Sequence, residues 1–142
     1  MLQSCLFVPV LLLSIITAPA HGVSQADFEK LLAAIATVES GGDPNAVGDG
    51  GKAIGIFQIH RGYWQDAVAF DKTLGGKYED CFNPAYARRV VTAYLRRYAP
   101  KGATLEDLAR LHNGGCNMFK KRGTKAWDNT TAYWCKIRKV MP

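Results

Sequence analysis

Apolar residues recur at helical spacing in five stretches of the chain, and most of these stretches are bounded by residues that start or stop helices. Phe28, Leu31, Leu32, Ile35 and Val38 form one face, opened by Ser24 with Asp27 three positions on and stopped by Gly41 and Gly42. Tyr63, Trp64, Ala67 and Val68 fit a short amphipathic helix. Asn83 followed by Pro84 opens a longer one, whose core face is Val90, Val91, Tyr94, Leu95 and Tyr98; its arginines lie elsewhere and Pro100 closes it. Thr104 with Asp107 caps a helix through Leu105, Leu108 and Leu111 that ends at the glycines after His112 and Asn113. The pattern predicts a last helix from about Thr131 to Val140, with Tyr133, Trp134, Ile137 and Val140 inward and Lys136, Arg138 and Lys139 in water.

Between the first two helices the period changes. Asp49, Gly50 and Gly51 signal a turn, and Ala53 to Ile59 reads as a short β-like run. About five helices and a small β-hairpin element make an α+β fold that is mainly α. No repeat or linker interrupts the pattern, so residues 21–142 read as a single domain.

The first twenty residues stand apart from this domain. They hold no charged side chain, their apolar run of about a dozen residues is shorter than the roughly 20 of a spanning helix, and Ala18, Pro19, Ala20 form a small-x-small cleavage site. Residues 1–20 therefore read as a signal peptide and 21–142 as a secreted, extracellular chain without stable membrane insertion. Secretion leaves Cys81, Cys116 and Cys135, an odd number for an oxidising compartment. Of the three possible bridges, Cys116 with Cys135 is expected, because it would staple the basic C-terminal loop onto the last helix. No Cys-x-x-Cys pair exists and the histidines are scattered, so neither a metal site nor a cofactor is expected. With 18 Lys+Arg against 12 Asp+Glu, the net +6 belongs to the domain and suits an acidic polymer as partner.

Two carboxylates carry the candidate chemistry. Glu39 sits in the last turn of the first helix, facing the negative end of the helix dipole after an apolar face, the setting of a general acid. Asp49 lies among glycines in a turn, where solvent and backbone amides suit an anion. Unlike environments for paired carboxylates divide the roles that glycoside hydrolysis requires. Gly55, inside the β-like run, marks a close approach of another backbone or of a ligand. Phe57, Gln58, His60, Tyr63 and Trp64 around it offer hydrogen-bonding and stacking surface for a sugar chain, although core packing is the commoner use of such a tryptophan. His112 and Asn113 could bind a ligand or cap a helix; His112 has no evident carboxylate partner, which disfavours a Ser/His/Asp hydrolase. Asn129, Thr130, Thr131 is an N-glycosylation acceptor.

Taken together, these motifs resemble the lysozyme superfamily, and within it the invertebrate-type, destabilase-related lysozymes. Glu39-Ser40-Gly41 resembles the catalytic Glu-Ser-Gly of that family. Gly55-Ile56-Phe57-Gln58-Ile59 resembles its Gly-Tyr-Phe-Gln-Ile, and Tyr63-Trp64 the Tyr-Trp that follows. Ala109 to Gly115 resembles its Ala-Arg-x-His-Asn-Gly-Gly, and Tyr133-Trp134 its closing Tyr-Trp. The resemblance implies a lysozyme-like fold, Glu39 as general acid and Asp49 as the catalytic carboxylate. Measured back from the Gly-x-Phe-Gln run, the family's aspartate falls at Gly48, so Asp49 requires a shift of one residue within a turn. Three thiols also cannot reproduce the family's dense disulfides. Val38 to Ala46 is similar as well to goose-type lysozymes and lytic transglycosylases, which work with one essential glutamate.

The implied activity is retaining hydrolysis of β-1,4 bonds between N-acetylmuramic acid and N-acetylglucosamine in peptidoglycan by a monomer that does not bind nucleic acid. Chitin oligosaccharides are an alternative substrate, and a non-catalytic cationic wall-binding antimicrobial protein is an alternative class. The leader reading is directly testable. Protein recovered from the medium of expressing animal cells should begin at His21 by N-terminal sequencing, and a full-length chain retained in the membrane fraction would refute it.

Overall fold

A computed structural model describes residues 22–142; the expected signal peptide lies outside the described residues. Five helices follow one another as α1 (Gln25–Ser40), α2 (Arg61–Phe70), α3 (Pro84–Tyr98), α4 (Leu105–Gly114) and α5 (Lys125–Val140). Between α1 and α2 run three two-residue strands, β1 (Val47–Gly48), β2 (Ala53–Ile54) and β3 (Ile59–His60). They form an antiparallel sheet in the order β1-β2-β3, with Val47 opposite Ile54 and Ile54 opposite Ile59. This is the mainly helical α+β fold that the pattern predicts, with a three-stranded meander where a single hairpin was expected.

The caps read from the sequence form as hydrogen bonds. Ser24 Oγ accepts from the Asp27 N–H, Asn83 Oδ1 accepts from the N–H groups of Ala85 and Tyr86, and Thr104 and Asp107 satisfy each other's backbone as a capping box. The core is one cluster. Phe28, Leu31 and Ile35 of α1 meet Val90, Val91 and Leu95 of α3, Leu108 and Leu111 of α4 and Ile137 of α5, all fully buried. Burial of such a side chain is worth roughly 1.5–3 kcal/mol, which is why these short helices hold together.

The last helix starts six residues earlier than its apolar pattern suggests. Thr124 accepts from the Trp127 N–H as N-cap, and the first turn then packs through a polar contact instead of an apolar one. Arg110 of α4, only 5% exposed, pairs with Glu106, donates to the hydroxyls of Thr130 and Thr131 at 3.0 and 2.8 Å, and lies over the Trp127 ring. A buried guanidinium needs all of these partners. Val140, expected to face inward, is exposed because it closes the helix beyond Ile137, the last buried position.

The expected Cys116–Cys135 bridge is not formed. Cys81, Cys116 and Cys135 are all free thiols. Cys116 is exposed just past the end of α4, and Cys135 lies on the flank of α5 near Arg138. The buried Arg110 network ties α4 to α5 in place of the bridge. Cys81 is fully buried, and desolvation first, then the charges of Asp80 and Glu79, push its thiol up to about 12. A thiol so placed is inert packing.

Gly55 is where the sheet meets the rest of the chain. Its φ is 74°, its N–H donates to the Ala46 carbonyl at 2.9 Å, and a β-carbon there would overlap the Cys81 carbonyl oxygen. The close approach expected at this glycine is therefore to a backbone, that of the 3-10 turn Tyr78–Phe82. Gly55→Ala combines a left-handed φ with a backbone clash and should cost about 2 kcal/mol or more of stability, read as a lower unfolding midpoint in denaturant. An unchanged midpoint would show that the turn can yield.

Candidate active site

Glu39 occupies the last turn of α1, where the helix ends at Gly41, and its side chain is 20% exposed. A carboxylate so nearly withdrawn from water needs hydrogen-bond donors. Tyr133 of α5 supplies one, its hydroxyl donating to Glu39 Oε1 at 2.7 Å. His112, in the last turn of α4, places Nε2 3.7 Å from the same oxygen, so the carboxylate partner that the sequence did not reveal is Glu39. The other ring nitrogen, Nδ1, is 3.1 Å from the Tyr63 hydroxyl of α2, and the Tyr63 ring stacks on Tyr94 of α3 with centroids 3.5 Å apart. Five helices thus meet behind one carboxylate.

Burial sets the protonation states of this cluster. The His112 side chain is 4% exposed, and desolvation lowers its pKa against the opposing pull of Glu39 and of a hydrogen bond to the Phe57 backbone. A neutral imidazole makes the 3.7 Å contact a dipolar one rather than an ion pair. Tyr133 is pushed up by desolvation, by the Glu39 charge and by the hydrogen bond it donates, and Tyr63 by desolvation, Tyr94 and Glu39. Both phenols therefore stay protonated, and Tyr133 serves Glu39 as a donor.

Asp49 presents the opposite environment. It has a left-handed backbone (φ 49°) in the turn after β1, its side chain is 65% exposed, and its contact is His60 Nε2 at 3.5 Å. Gly48 faces the Gln58 amide so closely that a β-carbon there would overlap Gln58 Oε1. Gln58 itself is held by donating to the carbonyls of Ala46 at 3.3 Å and Gly55 at 3.0 Å. The Gln58 amide thus occupies the space beside Gly48, and Asp49 follows it in the turn.

Glu39, Asp49, Ala53, Gln58, His60, Tyr63, His112 and Asn113 line one open cleft of about 240 Å³ between the sheet and the helices. Seven of these eight were candidates on sequence. Three other candidates lie elsewhere. Gly55 backs onto Cys81, Phe57 is buried in the core on the far side of its strand turn, and Trp64 packs inward with Nε1 donating to the Tyr86 hydroxyl at 2.9 Å. None of the three lines the cleft. Tyr133, read as a core residue from its spacing, was missed as a site residue; no sequence signal separates a buried tyrosine that packs from one that also donates to a carboxylate. Among the described residues no cluster of three or more His, Cys, Asp or Glu side chains could hold a metal ion.

The destabilase family profile matches residues 28–139, from the core face of α1 to the end of α5. The chain belongs to the destabilase family. As a family member it also resembles the crystal structure of Tapes japonica lysozyme, with 29% identity, a TM-score of 0.64, and coverage of 87% of this chain and 94% of that one. The destabilase match spans Glu39, Asp49, His112 and Tyr133 alike, and with the structural neighbour it supports a lysozyme-type function.

The neutral His112 makes stability depend on pH. Its folded pKa lies below the ordinary 6.5, so between the two values the unfolded chain binds the extra proton and folding weakens as pH falls through that window; above 6.5 the group contributes nothing to the slope. Thermal midpoints measured from pH 7 to pH 5 should fall more steeply for the wild type than for His112→Gln. Parallel profiles would mean that His112 is charged in the folded state.

Proposed function

We propose that this chain is a secreted muramidase that hydrolyses the β-1,4 bond between N-acetylmuramic acid and N-acetylglucosamine in peptidoglycan. The observation that carries the reading is a single open cleft lined by two carboxylates in unlike surroundings. One is sheltered and held by a phenol; the other is exposed at a turn. Glu39 protonates the departing glycosidic oxygen, and the oxocarbenium-like centre that develops is met by the Asp49 carboxylate on the sheet side of the cleft. Water then attacks the anomeric carbon while Glu39, now the base, takes a proton from that water and is restored to its acid form, giving retention. Gln58, His60, Tyr63 and Asn113 bind the sugar; His112 sits behind Glu39 and acts on substrate through it.

Tyr133 is a positioning residue in this scheme, because its hydroxyl fixes the orientation of the Glu39 carboxylate without touching substrate. Charge-assisted hydrogen bonds of this kind are worth about 1.5–3 kcal/mol. Tyr133→Phe should therefore lower kcat by roughly 10- to 100-fold with KM little changed, whereas a merely structural role would lower the amount of folded enzyme and leave kcat per folded molecule intact.

The exposure of Asp49 and its long contact with His60 favour one rival, a lytic transglycosylase that relies on Glu39 alone. Mass spectrometry of products from purified peptidoglycan separates the two. Reducing muropeptides that disappear in Glu39→Gln and fall by about 10²-fold or more in Asp49→Asn are expected. Anhydro ends that survive Asp49→Asn would establish the transglycosylase, and wall binding with no soluble product would establish a non-catalytic protein. Product stereochemistry followed by proton NMR tests retention, and a parallel digest of chitin oligosaccharides ranks the two polymers as substrates.

A further inference from the structure

The charge of this protein is confined to one end of the chain. Residues 1–116 carry 11 Lys or Arg and 11 Asp or Glu, whereas residues 117–142 carry seven and one, so the whole net +6 lies in the last 26 residues. Six of these seven cations stand exposed in the turn before the last helix or on one face of it. Lys120, Lys121 and Arg122 stand exposed in the turn that leads into α5, and Lys125, Lys136 and Lys139 continue along it. On the helix the exposed positions Lys125, Asn129, Ala132, Lys136 and Lys139 are spaced four and three apart and share one face, beside the buried stripe of Thr130, Tyr133 and Ile137. None of the seven cations forms a salt bridge among the described residues, and none lines the cleft.

We propose that this face is a docking surface for a flexible phosphodiester polymer of the bacterial wall. A band of unpaired cations along about 24 Å of helix is complementary to a chain of evenly spaced anions. Two other polyanionic partners fit less well. A bilayer would want apolar wedges, and Val140 is the one large apolar side chain of this segment that stands out in water. Single-stranded nucleic acid would want free aromatic platforms, yet Trp127 is covered by Arg110 and Arg122 and Trp134 lies beside Arg138. Because none of these cations lines the cleft, a polymer bound along them leaves the cleft open. Cleft and face together then hold the protein on one wall through two contacts, which raises the effective concentration of glycan at the cleft. This location for the ligand rests on the peptidoglycan reading above.

The test uses the mature chain with Glu39→Gln, so that walls are bound but not digested. Co-sedimentation is measured with Gram-positive walls that carry their polyol-phosphate polymer and with the same walls after its chemical removal. Changing Lys120, Lys125 and Lys136 together to Glu should weaken binding to the intact walls by about tenfold or more at low salt. The same number of changes at the exposed Lys30, Lys72 and Lys101 should weaken it far less. In an otherwise wild-type chain, the face variant should cleave soluble oligosaccharide as before. A Gln version of the three face positions serves if the Glu version unfolds. Equal losses in the two sets, undiminished binding to stripped walls, or tighter binding to DNA or anionic vesicles than to walls would each overturn the proposal. Wall binding that behaves as expected in a protein without glycan cleavage would overturn the muramidase reading alone.

Discussion

The hydrogen bond from Tyr133 to Glu39 joins residues 94 positions apart, and the architecture around the cleft follows from the need to satisfy that carboxylate. An acid four-fifths withdrawn from water is costly unless donors reach it. Tyr133 of α5 donates to it, His112 of α4 lies 3.7 Å from the same oxygen, Tyr63 of α2 holds the other side of the His112 ring, and Tyr94 of α3 braces Tyr63 from behind. Burial keeps the two phenols protonated and the imidazole deprotonated, all three neutral, so the cluster carries one acid and no competing charge. The helix bundle is thus a holder for one functional group at the end of its first helix.

The second carboxylate is placed by a different kind of constraint, steric rather than electrostatic. Gln58, itself at a φ of 49°, turns its amide back across the sheet to the Ala46 and Gly55 carbonyls and fills the space beside Gly48. Asp49 follows in the turn, where it faces solvent and His60. The contrast between the two acids is therefore built by packing: helices close over one, and a three-stranded meander leaves the other in water.

Stability without bridges has a visible source. Desolvation keeps Cys81 an inert thiol under Gly55, and the two outer cysteines stay apart. The tie between α4 and α5 is instead the buried Arg110, shared among Glu106, Thr130, Thr131 and the Trp127 ring. A guanidinium supplies five donors in a fixed plane, so a single side chain sets the register of two helices that also carry His112 and Tyr133. The outer surface of α5 is released from any packing role and holds its cations free in solvent.

Local physics made much of this legible from the chain alone. Helix starts at Ser24, Asn83 and Thr104 are readable because a capping side chain bonds within three residues of itself, and the core faces are readable because period 3.6 reports which side of a helix is buried. Glu39 at a helix end and Asp49 in a glycine turn could be singled out for the same reason. What tertiary structure decided involves partners far apart in sequence. Whether Gly55 faces a sugar or the Cys81 carbonyl, whether Trp64 stacks on substrate or bonds Tyr86, and whether two cysteines meet depend on how separate elements pack. The start of α5 at Lys125 was hidden because its first turn is anchored by Arg110 from α4 rather than by an apolar stripe. Tyr133 shows the limit most clearly: its burial follows from spacing, but the carboxylate it serves is 94 residues away, and only the folded chain brings the two together.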